Sequence, residues 1–581
     1  MEASRSSRSP RARRGGAPAP PAVDPALRYA PALLSAEGMK AVDRATIERF
    51  GIPGERLMDE AGTEAFRVIA DYFEPASMLV LAGRGNNGGD GLVVARRASE
   101  AGVATQVLLW CEPGELQGEA RHHYRLLPEA LRPRSKAALR DLEAALHSAP
   151  DVVVDALLGI GARGPLRPEL AEVVQRVNAG GPFASNHGGH RRWTTVAIDI
   201  PTGVPADPPW EGGVAIEADL TVTFGALKAG MAMQPGLRHT GRVVLKRISF
   251  PPELLESSHD RMGLLTGAFV GSLIPPRPLA GHKGTFGTCV LLGGAPGMAG
   301  AMVLATQAAL RSGAGLVRAM APGDVARAVL HAAPAALVEA ATGGEWPRTR
   351  RSQRLAGEPL PILTAGSLPG IMRRVAAARA LVVGPGMGLH PATRHMLVQL
   401  LQQPGLPPTL LDADALTILA DAGPEVLPPP QRRAPLVLTP HPGEAARLLQ
   451  APDAAAVQAD RVNAARTLAS RWHAYVALKG AQSLVATPCG HVEVNPTGNT
   501  GLARGGSGDI LAGLVGGLMA QGAHPYDALR AGTFLHGLAA DLALPRASPQ
   551  TLDADTLLQH LGEAFRQLHH EARTACTAHT S

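Results

Sequence analysis

Short apolar runs alternate with longer segments of mixed polarity along most of the chain. In the first part, the short runs predict four strands, at Met78–Ala82, Thr105–Trp110, Asp151–Ala156 and Thr195–Ile200. The longer segments predict helices at Ala36–Phe50, Glu55–Phe73 and Gly91–Ala101. Strands that alternate with helices build a parallel sheet with helices on its faces, so we expect an α/β fold.

A second alternating series begins near Met262. Its predicted strands are Cys289–Leu292, Ala380–Val383, Thr409–Leu411, Leu436–Leu438 and Tyr475–Leu478. We therefore expect two α/β domains, residues 28–255 and 262–573, with a linker around Pro251–Asp260. Two stretches rich in Arg, Pro and Gly predict surface insertions, at Ala184–Trp193 and Gly343–Pro361.

The charge of the chain is concentrated at its start. The 581 residues carry a formal net charge of +6, and five arginines stand against Glu2 within residues 1–23. Residues 1–27 have low complexity and predict a disordered tail, with an organelle transit peptide as the alternative. The remainder is close to neutral and has no basic stripe with interleaved aromatic residues, so we expect no nucleic-acid partner.

Composition narrows the compartment and the class of protein. The content of 45% hydrophobic residues is sufficient for large cores, although only 3% of residues are aromatic. No long uncharged apolar run occurs, so we expect no membrane span. The four cysteines are far apart and form no CxxC pair, which predicts buried thiols in a reducing, cytoplasmic compartment.

Three polar loops follow predicted strands of the first domain. The first, Gly83–Gly91, contains GxGxxG and predicts a dinucleotide-type turn, but Asn86, Asn87 and Asp90 offer oxygens better suited to a cation or a ribose. Asp155 precedes Gly159–Pro165 after the next strand, and the third loop carries Asp199 and Thr202. Because the carboxyl ends of parallel strands meet at one crevice, Asn87, Asp155, Asp199 and Thr202 are expected to face one pocket. Each aspartate alone is more typical of a helix cap than of a catalyst, but three such loops in order favour a functional site.

Two motifs of the second domain predict a phosphate site. Lys479–Ser483 ends a strand and places a lysine and backbone amides near phosphates, and Gly505–Asp509 opens the apolar helix Ile510–Met519. Backbone N–H groups at such a helix start form an anion hole. Asp509 is placed there to take a proton from a hydroxyl that attacks phosphorus. The alternative is a glycine-rich helix entry with Asp509 as its cap, and His441 alone is compatible with either a structural or a functional role.

The order of these motifs resembles a known family. The second domain resembles the ADP-dependent NAD(P)H-hydrate dehydratases of the ribokinase-like superfamily through His282–Gly284, Gly293–Ala301, Gly384–Gly388, Leu411–Leu416, Thr439–Glu444, Lys479–Ser483 and Asn499–Gly513. The first domain resembles NAD(P)H-hydrate epimerases through Leu57–Gly62, Asn86–Gly91, Asp155–Gly161 and Asp199–Gly203. The resemblance covers roughly residues 30–545 and implies a Rossmann-like three-layer α/β/α first domain and a ribokinase-like three-layer α/β/α second domain.

The resemblance also implies roles for individual residues. In the first domain it assigns the hydrated nicotinamide nucleotide to Asn86, Asn87, Gly88, Gly89, Asp90, Gly159, Ile160, Gly161, Ala162, Arg163, Gly164, Pro165 and Asp199, and a potassium ion to Asn87, Asp155 and Thr202. In the second domain it assigns the hydrate to Ala301, Gly386, His441 and Asp509, and the nucleotide to Lys479, Gly480, Ala481, Gln482, Ser483 and Gly508. The family usually has Ser where Thr202 stands, and Thr keeps the hydroxyl.

The implied activity is the repair of hydrated NADH and NADPH, called NAD(P)HX. The first domain is expected to epimerise its R and S forms with Asp199 as acid or base. The second is expected to dehydrate the S form, with Asp509 as the base and with conversion of ADP to AMP and phosphate. ADP (with ATP as the alternative), Mg²⁺ and K⁺ are the implied cofactors, the substrate is a small molecule, and a homo-oligomer is expected.

One rival function is an ATP-dependent small-molecule kinase, which the paired first domain disfavours. A second rival makes the first domain a scaffold module, which the retained Asp155 and Asp199 disfavour.

Overall fold

The computed structural model describes residues 28–180, 193–210, 212–256, 260–341 and 362–578. The predicted tail at residues 1–27 therefore lies outside the described residues, as do both predicted insertions except for Trp193. Trp193 is buried, which corrects the prediction of a surface position, and its ring lies against Gly180. None of the described helices is long and apolar enough to cross a membrane.

The first domain is built on a six-stranded parallel sheet of order β3-β2-β4-β5-β6-β8. The strands of this part are β1 (Leu33–Leu34), β2 (Ser77–Ala82), β3 (Ala104–Leu109), β4 (Val152–Ala156), β5 (Thr194–Ile198), β6 (Leu220–Phe224), β7 (Leu227–Lys228) and β8 (Arg242–Lys246). Its helices are α1 (Ala36–Phe50), α2 (Gly54–Phe73), α3 (Asn86–Glu100), α4 (Gly118–Leu126), α5 (Leu139–His147), α6 (Pro168–Asn178) and α7 (Pro252–Glu256). Apolar side chains are buried on both faces of the sheet, as a three-layer α/β/α domain requires.

The second domain is built on a ten-stranded sheet of order β12-β11-β10-β13-β14-β15-β16-β17-β18-β9, parallel except where β16, β17 and β18 pair antiparallel. Its strands are β9 (Met262–Leu264), β10 (Thr288–Leu292), β11 (Leu316–Ala321), β12 (Leu337–Ala340), β13 (Ala380–Val383), β14 (Thr409–Leu411), β15 (Leu436–Leu438), β16 (Tyr475–Leu478), β17 (Leu484–Ala486) and β18 (Val492–Val494). Its helices are α8 (Gly267–Gly271), α9 (Ala299–Arg311), α10 (Gly323–Ala332), α11 (Leu368–Val375), α12 (Pro391–Leu401), α13 (Asp414–Ala422), α14 (Pro442–Leu449), α15 (Ala454–Ala459), α16 (Arg461–Trp472), α17 (Ser507–Ala520), α18 (Pro525–Ala543) and α19 (Ala554–Ala578). The predicted two-domain α/β class is thereby confirmed.

Helix α17 lies at the centre of the second domain because its sequence has no polar face. Every residue from Ile510 to Ala520 is buried. Its glycines let the helix approach its neighbours closely: a Cβ at Gly513 would lie 2.0 Å from the carbonyl oxygen of Ala305 in α9, and one at Gly516 would lie 2.2 Å from Val382 in β13. This packing fixes the N-terminal end of α17, which carries the predicted phosphate loop, against the carboxyl ends of the central strands.

Residues 28–34 connect the two domains. The backbone N–H of Ala30 donates to Glu493 Oε1 at 2.8 Å, and Arg530 Nη1 donates to the carbonyl of Arg28 at 2.8 Å. Glu493 and Arg530 are themselves a fully buried ion pair, with 3.0 Å between Arg530 Nη1 and Glu493 Oε1. Immediately after this contact, β1 pairs in parallel with β7 of the first domain.

Candidate active sites in the two domains

A cavity of about 890 Å³ opens at the carboxyl end of the first sheet. Its lining includes eleven of the residues to which the sequence assigned the hydrated nucleotide: Asn86, Asn87, Asp90, Gly159, Ile160, Gly161, Ala162, Arg163, Gly164, Pro165 and Asp199. The lining also contains six basic side chains, Lys40, Arg84, Lys136, Arg163, Arg167 and Lys228, and six carboxylates, Asp43, Asp90, Glu115, Glu119, Glu169 and Asp199. A cavity of this size fits a ligand of nucleotide size, and its cations suit phosphate groups.

The glycine-rich motif forms the start of a helix, which differs from the prediction. Helix α3 begins at Asn86 and has Gly85 as its N-cap residue, whereas the predicted helix began at Gly91. Gly88 is packed against the backbone of Gly83, where a Cβ on Gly88 would lie 1.9 Å from the Gly83 carbonyl oxygen, so only glycine allows this helix start. Asn86 and Asp90 consequently lie within the first turns of α3, where both line the cavity. Gly88 and Gly89 are buried behind the cavity wall.

Asp199 forms a buried ion pair that the sequence did not predict. It follows β5 in the left-handed region, with φ of 64°. Its Oδ1 accepts from Lys228 Nζ and, at 3.1 Å, from Thr223 Oγ1. Lys228 is 1% exposed, and its Nζ also donates to Thr223 Oγ1 at 2.8 Å and to the carbonyl of Phe224 at 3.2 Å. The sequence signal that could have identified Lys228 is its position as a lone charge in the apolar stretch from Phe224 to Met233.

Two more carboxylates share this end of the cavity. Burial and the charge of Asp199 raise the pKa of Asp43 to about 6, and burial together with Asp199 and Asp43 raises the pKa of Asp90 well above its usual range. Lys228 acts in the opposite direction on both carboxyls. Asp43 lies on α1 and was not predicted as a site residue, since its sequence segment carries no glycine-rich or strand-end signal.

The predicted potassium ligands form a cluster next to the cavity. Thr202 donates to Asp155 twice, from its backbone N–H to Oδ2 and from Oγ1 to Oδ1, both at 2.7 Å. Leu158 links this pair to Asn87: its N–H donates to Thr202 Oγ1 at 3.0 Å and its carbonyl accepts from Asn87 Nδ2 at 2.8 Å. Asn87 Oδ1 is buried and has no hydrogen-bond partner among the described residues. Asp155 and Thr202 lie behind the cavity lining, so the expectation that all four polar residues face one pocket is met only by Asn87 and Asp199.

In the second domain, the predicted phosphate loop is the N-terminal end of α17. The helix begins at Ser507, three residues before the predicted Ile510, and its N-cap Gly506 has φ of 92°, a conformation that favours glycine. Asp509 thus lies in the first turn. Burial, and secondly the charge of Asp412, raise the pKa of Asp509 to about 7. No hydrogen bond or ion pair within the described ranges engages the Asp509 carboxylate.

Lys479 links this loop to two further carboxylates. Its Nζ lies 2.9 Å from Asp412 Oδ1 and 3.8 Å from Glu444 Oε2. Although burial alone would lower the pKa of Lys479, Asp412 and Glu444 raise it. A Cβ at Gly508 would lie 3.2 Å from Lys479 Nζ, so the bare backbone of Gly508 faces the ammonium group.

The remaining predicted residues adjoin this centre. His441 Nε2 lies 3.3 Å from Glu444 Oε1, while its Nδ1 accepts from Gly443 N–H as the N-cap of α14. Gly386 has φ of 55°, and its Cβ position would lie 3.0 Å from Ala301 Cβ. The Gly384–Gly388 turn reaches the centre through Gly388 N–H, which donates to Asp414 Oδ2 at 2.8 Å.

The loop Lys479–Ser483 is held by an arginine that the sequence did not single out. Arg461, the first residue of α16, donates to the carbonyls of Leu478, at 3.4 Å, and Ala481. Gly480 has φ of 144°, and a Cβ there would lie 2.8 Å from Arg461 Nη2. On its outer side, Gln482 Oε1 accepts from the backbone N–H of Gln234 in the first domain at 3.4 Å.

Known proteins match both domains. Residues 54–230 match the family model described as YjeF-related protein N-terminus, and residues 289–562 match the model described as NAD(P)H-hydrate dehydratase. A Moorella thermoacetica protein named bifunctional NAD(P)H-hydrate repair enzyme Nnr is 37% identical over 554 residues, which are 94% of this chain and 99% of the relative. The protein of the same name from Escherichia coli is 31% identical over 90% of this chain and 92% of its own.

A solved structure also aligns with part of the chain. The ADP/ATP-dependent NAD(P)H-hydrate dehydratase from Bacillus subtilis, co-crystallised with ATP and Mg²⁺, is 29% identical and aligns with a TM-score of 0.43. The alignment covers 52% of this chain and 98% of the solved chain.

Proposed function

This chain belongs to the family of bifunctional NAD(P)H-hydrate repair enzymes, and from this premise we propose which residues carry out each of its two reactions. The observation that carries the function is the 37% identity to a repair enzyme over 94% of this chain and 99% of the relative. The first domain epimerises R- and S-NAD(P)HX, and the second dehydrates S-NAD(P)HX to NAD(P)H while ADP is converted to AMP and phosphate. The two sites support this assignment, since each presents buried carboxylates beside a lysine.

In the second domain, Asp509 is the proposed base. The C6 hydroxyl of the hydrate is a poor leaving group, whereas phosphate is a good one. Asp509 takes the hydroxyl proton as the oxygen attacks the β-phosphorus of ADP, and AMP departs. The resulting phosphate then leaves C6 with the C–O electron pair while the lone pair of the ring nitrogen forms the double bond, and loss of the C5 proton yields NAD(P)H. A base with a pKa of about 7 is well matched to proton transfer near neutral pH.

The nucleotide is proposed to lie between Lys479–Ser483 and the start of α17. Lys479 supplies a charge for the phosphates, and the amides of Gly506–Gly508 stabilise the charge on the transferred phosphoryl group. The described residues group no three His, Cys, Asp or Glu side chains as a metal site. Mg²⁺ commonly binds through one or two carboxylates together with nucleotide phosphates. Asp412 and Asp414, whose charges act on Asp509, would provide these carboxylates, and the ion would neutralise phosphate charge.

In the first domain, Asp199 is the proposed proton acceptor, and Lys228 forms an ion pair with it. Asn86, Asp90 and Gly159–Pro165 line the space proposed for the nicotinamide nucleotide. The buried, unpartnered Asn87 Oδ1 beside Asp155 and Thr202 fits a monovalent cation that prefers oxygen ligands, which supports the potassium proposal. Bound there, K⁺ would stabilise the loops after β4 and β5.

The function is tested with the purified full chain, an NADHX epimer mixture and ADP. We expect both epimers to be consumed and the near-ultraviolet absorbance of NADH to return. Loss of one epimer alone would contradict the epimerase function of the first domain. No return of absorbance with either ADP or ATP would favour the small-molecule kinase. The preference for ADP over ATP, the homo-oligomeric state and the cytoplasmic location stay predictions.

A further inference from the structure

One carboxylate in the first-domain cavity has no role in the reactions described so far. Asp43 lies in the middle of α1, is half-buried and lines the cavity together with Asp90, Asp199 and Lys228. No hydrogen bond or ion pair connects its carboxylate to another residue of the described part of the chain. Its position is therefore not explained by a capping or bridging role.

Burial, and secondly the charge of Asp199, raise the pKa of Asp43, whereas the charge of Lys228 lowers it. The groups that act on Asp43 from the neighbouring elements are Asp199 after β5, Lys228 in β7 and Glu119 in α4, and Asp90 of α3 is coupled to Asp43 as well. The ammonium group of Lys228 donates to Asp199 and not to Asp43. Crowded, partly buried carboxyl groups keep their protons to higher pH than isolated ones, and the two members of this group without a cation partner among the described residues are Asp90, whose pKa is raised well above its usual range, and Asp43, whose pKa is raised to about 6.

We propose that Asp43 is the catalytic acid of the epimerisation, paired with Asp199 as the base; this rests on the epimerase function proposed above. The Asp43 carboxyl group gives its proton to the C6 hydroxyl, and the C6–O bond breaks with both electrons leaving on water. The lone pair of the ring nitrogen forms a C=N bond to C6, which makes C6 planar. A water molecule adds to the opposite face of C6 and passes a proton to Asp199, which yields the other epimer.

The cycle closes without another reactant. The proton on Asp199 returns to Asp43 through water, so the enzyme regains its initial state and the net reaction is inversion at C6. In the opposite direction the two carboxyl groups exchange roles, as microscopic reversibility requires. The ionised carboxylates near C6 stabilise the positive charge of the planar ring while it exists.

The test uses the full chain and pure R-NADHX without nucleotide, with the appearance of the S form followed by chromatography. We expect Asp43→Asn to lower the rate by about 10²–10⁴-fold, the usual contribution of a positioned acid. Asp43→Glu should restore part of the rate. Glu48→Gln is the matched control, because Glu48 is exposed on the same helix and does not line the cavity. Dehydration of S-NADHX by the same variants should stay within about twofold of wild type, which shows that the chain is folded.

Two further readouts distinguish an acid from a structural residue. The kcat/KM of wild type for R-NADHX should fall as pH rises above about 6, where Asp43 loses its proton, and this limb should vanish in Asp43→Asn. In ¹⁸O-labelled water, each epimerisation should place one labelled oxygen at C6. An Asp43→Asn variant that epimerises within about tenfold of an active wild type, or inversion without label, would overturn the role of Asp43. A wild-type chain that dehydrates but does not interconvert the epimers would overturn the epimerase function itself.

Discussion

Replacing Asp509 with Asn tests the second site most directly, because the change keeps the size of the side chain and removes only its ability to accept a proton. Asp509 lies in the first turn of α17 without a hydrogen-bond partner among the described residues. A general base contributes about 10²–10⁴-fold to a rate. That corresponds to about 3–5 kcal/mol of transition-state stabilisation. Dehydration of S-NADHX should fall by this factor, whereas epimerisation by the first domain of the same chain should be unchanged.

The same substitution should stabilise the fold, and the gain should depend on pH. The folded-state pKa of Asp509 is raised from 3.8 to about 7, so the fold disfavours the ionised form. The cost of ionisation is absent below the unfolded pKa, grows as pH rises and is complete above the folded pKa. A shift of roughly 3 units corresponds to at most about 4 kcal/mol at pH near 8 and to about 1.5 kcal/mol near pH 5. Asn carries no such cost.

The assays are steady-state dehydration and thermal unfolding at both pH values. Asp555→Asn is the control, since Asp555 is an exposed carboxylate in the first turn of α19. It should alter neither dehydration nor the pH dependence of stability. Dehydration that falls less than about tenfold in Asp509→Asn would refute the base assignment. A loss of stability at pH 8 would refute the argument that Asp509 is held in an unfavourable ionised state.

Three other predictions follow from the geometry. Asp199→Ala should leave dehydration of S-NADHX normal and stop consumption of the R form, as measured by chromatography with ADP present; equal consumption of both epimers would contradict it. Gly508→Ala should raise the KM for ADP by at least about tenfold, because the new Cβ would lie 3.2 Å from Lys479 Nζ in the space proposed for the phosphates. The control is Gly562→Ala, whose Cβ would have nothing within 4 Å and which should leave the KM unchanged. Glu493→Gln breaks the fully buried ion pair with Arg530, and chemical denaturation should show a loss of about 3–5 kcal/mol of unfolding free energy. Glu143→Gln breaks the partly exposed ion pair with Arg176 and should cost less than about 1 kcal/mol. Equal costs for these two variants would contradict the larger stabilisation expected of the buried pair.

Much of the fold could be predicted from the sequence because the central strands are short, continuous apolar runs. The bounds of β13, β14, β15 and β16 agree with the predicted strands residue for residue. The strands that were not predicted include β8 and β12, whose residues are mostly half-buried or exposed. Strands β17 and β18, each of three buried residues, were not predicted either.

Helix starts were predicted less well, for a physical reason that concerns both sites. Glycine has low helix propensity, so a glycine-rich segment predicts a loop. In α3 and α17 the glycines stand inside the helix because close packing leaves no room for a Cβ, as Gly88 against Gly83 and Gly513 against Ala305 illustrate. The last residues of both motifs, from Asn86 and from Ser507 onwards, therefore belong to helices.

The partners of the catalytic groups could not be predicted, because they come from distant parts of the chain. Lys228 follows Asp199 by 29 residues, and the two meet because β5, which precedes Asp199, pairs with β6, which precedes Lys228. Asp412 precedes Lys479 by 67 residues and reaches it across the adjacent strands β14, β15 and β16. Single-sequence patterns locate each strand end but carry no information on which side chains meet there.

The two sites nevertheless share one arrangement of charges, in which a lysine binds one carboxylate and a second carboxylate nearby has no cation partner among the described residues. In the first, Lys228 binds Asp199 and leaves Asp43 with a pKa of about 6; in the second, Lys479 binds Asp412 and leaves Asp509 with a pKa of about 7. In each site burial, and secondly the charge of the lysine-bound carboxylate, raise the pKa of the unpaired carboxylate, whereas the lysine lowers it. Removing either lysine should therefore raise the pKa of the unpaired carboxylate further, because a charge that opposes the shift is lost.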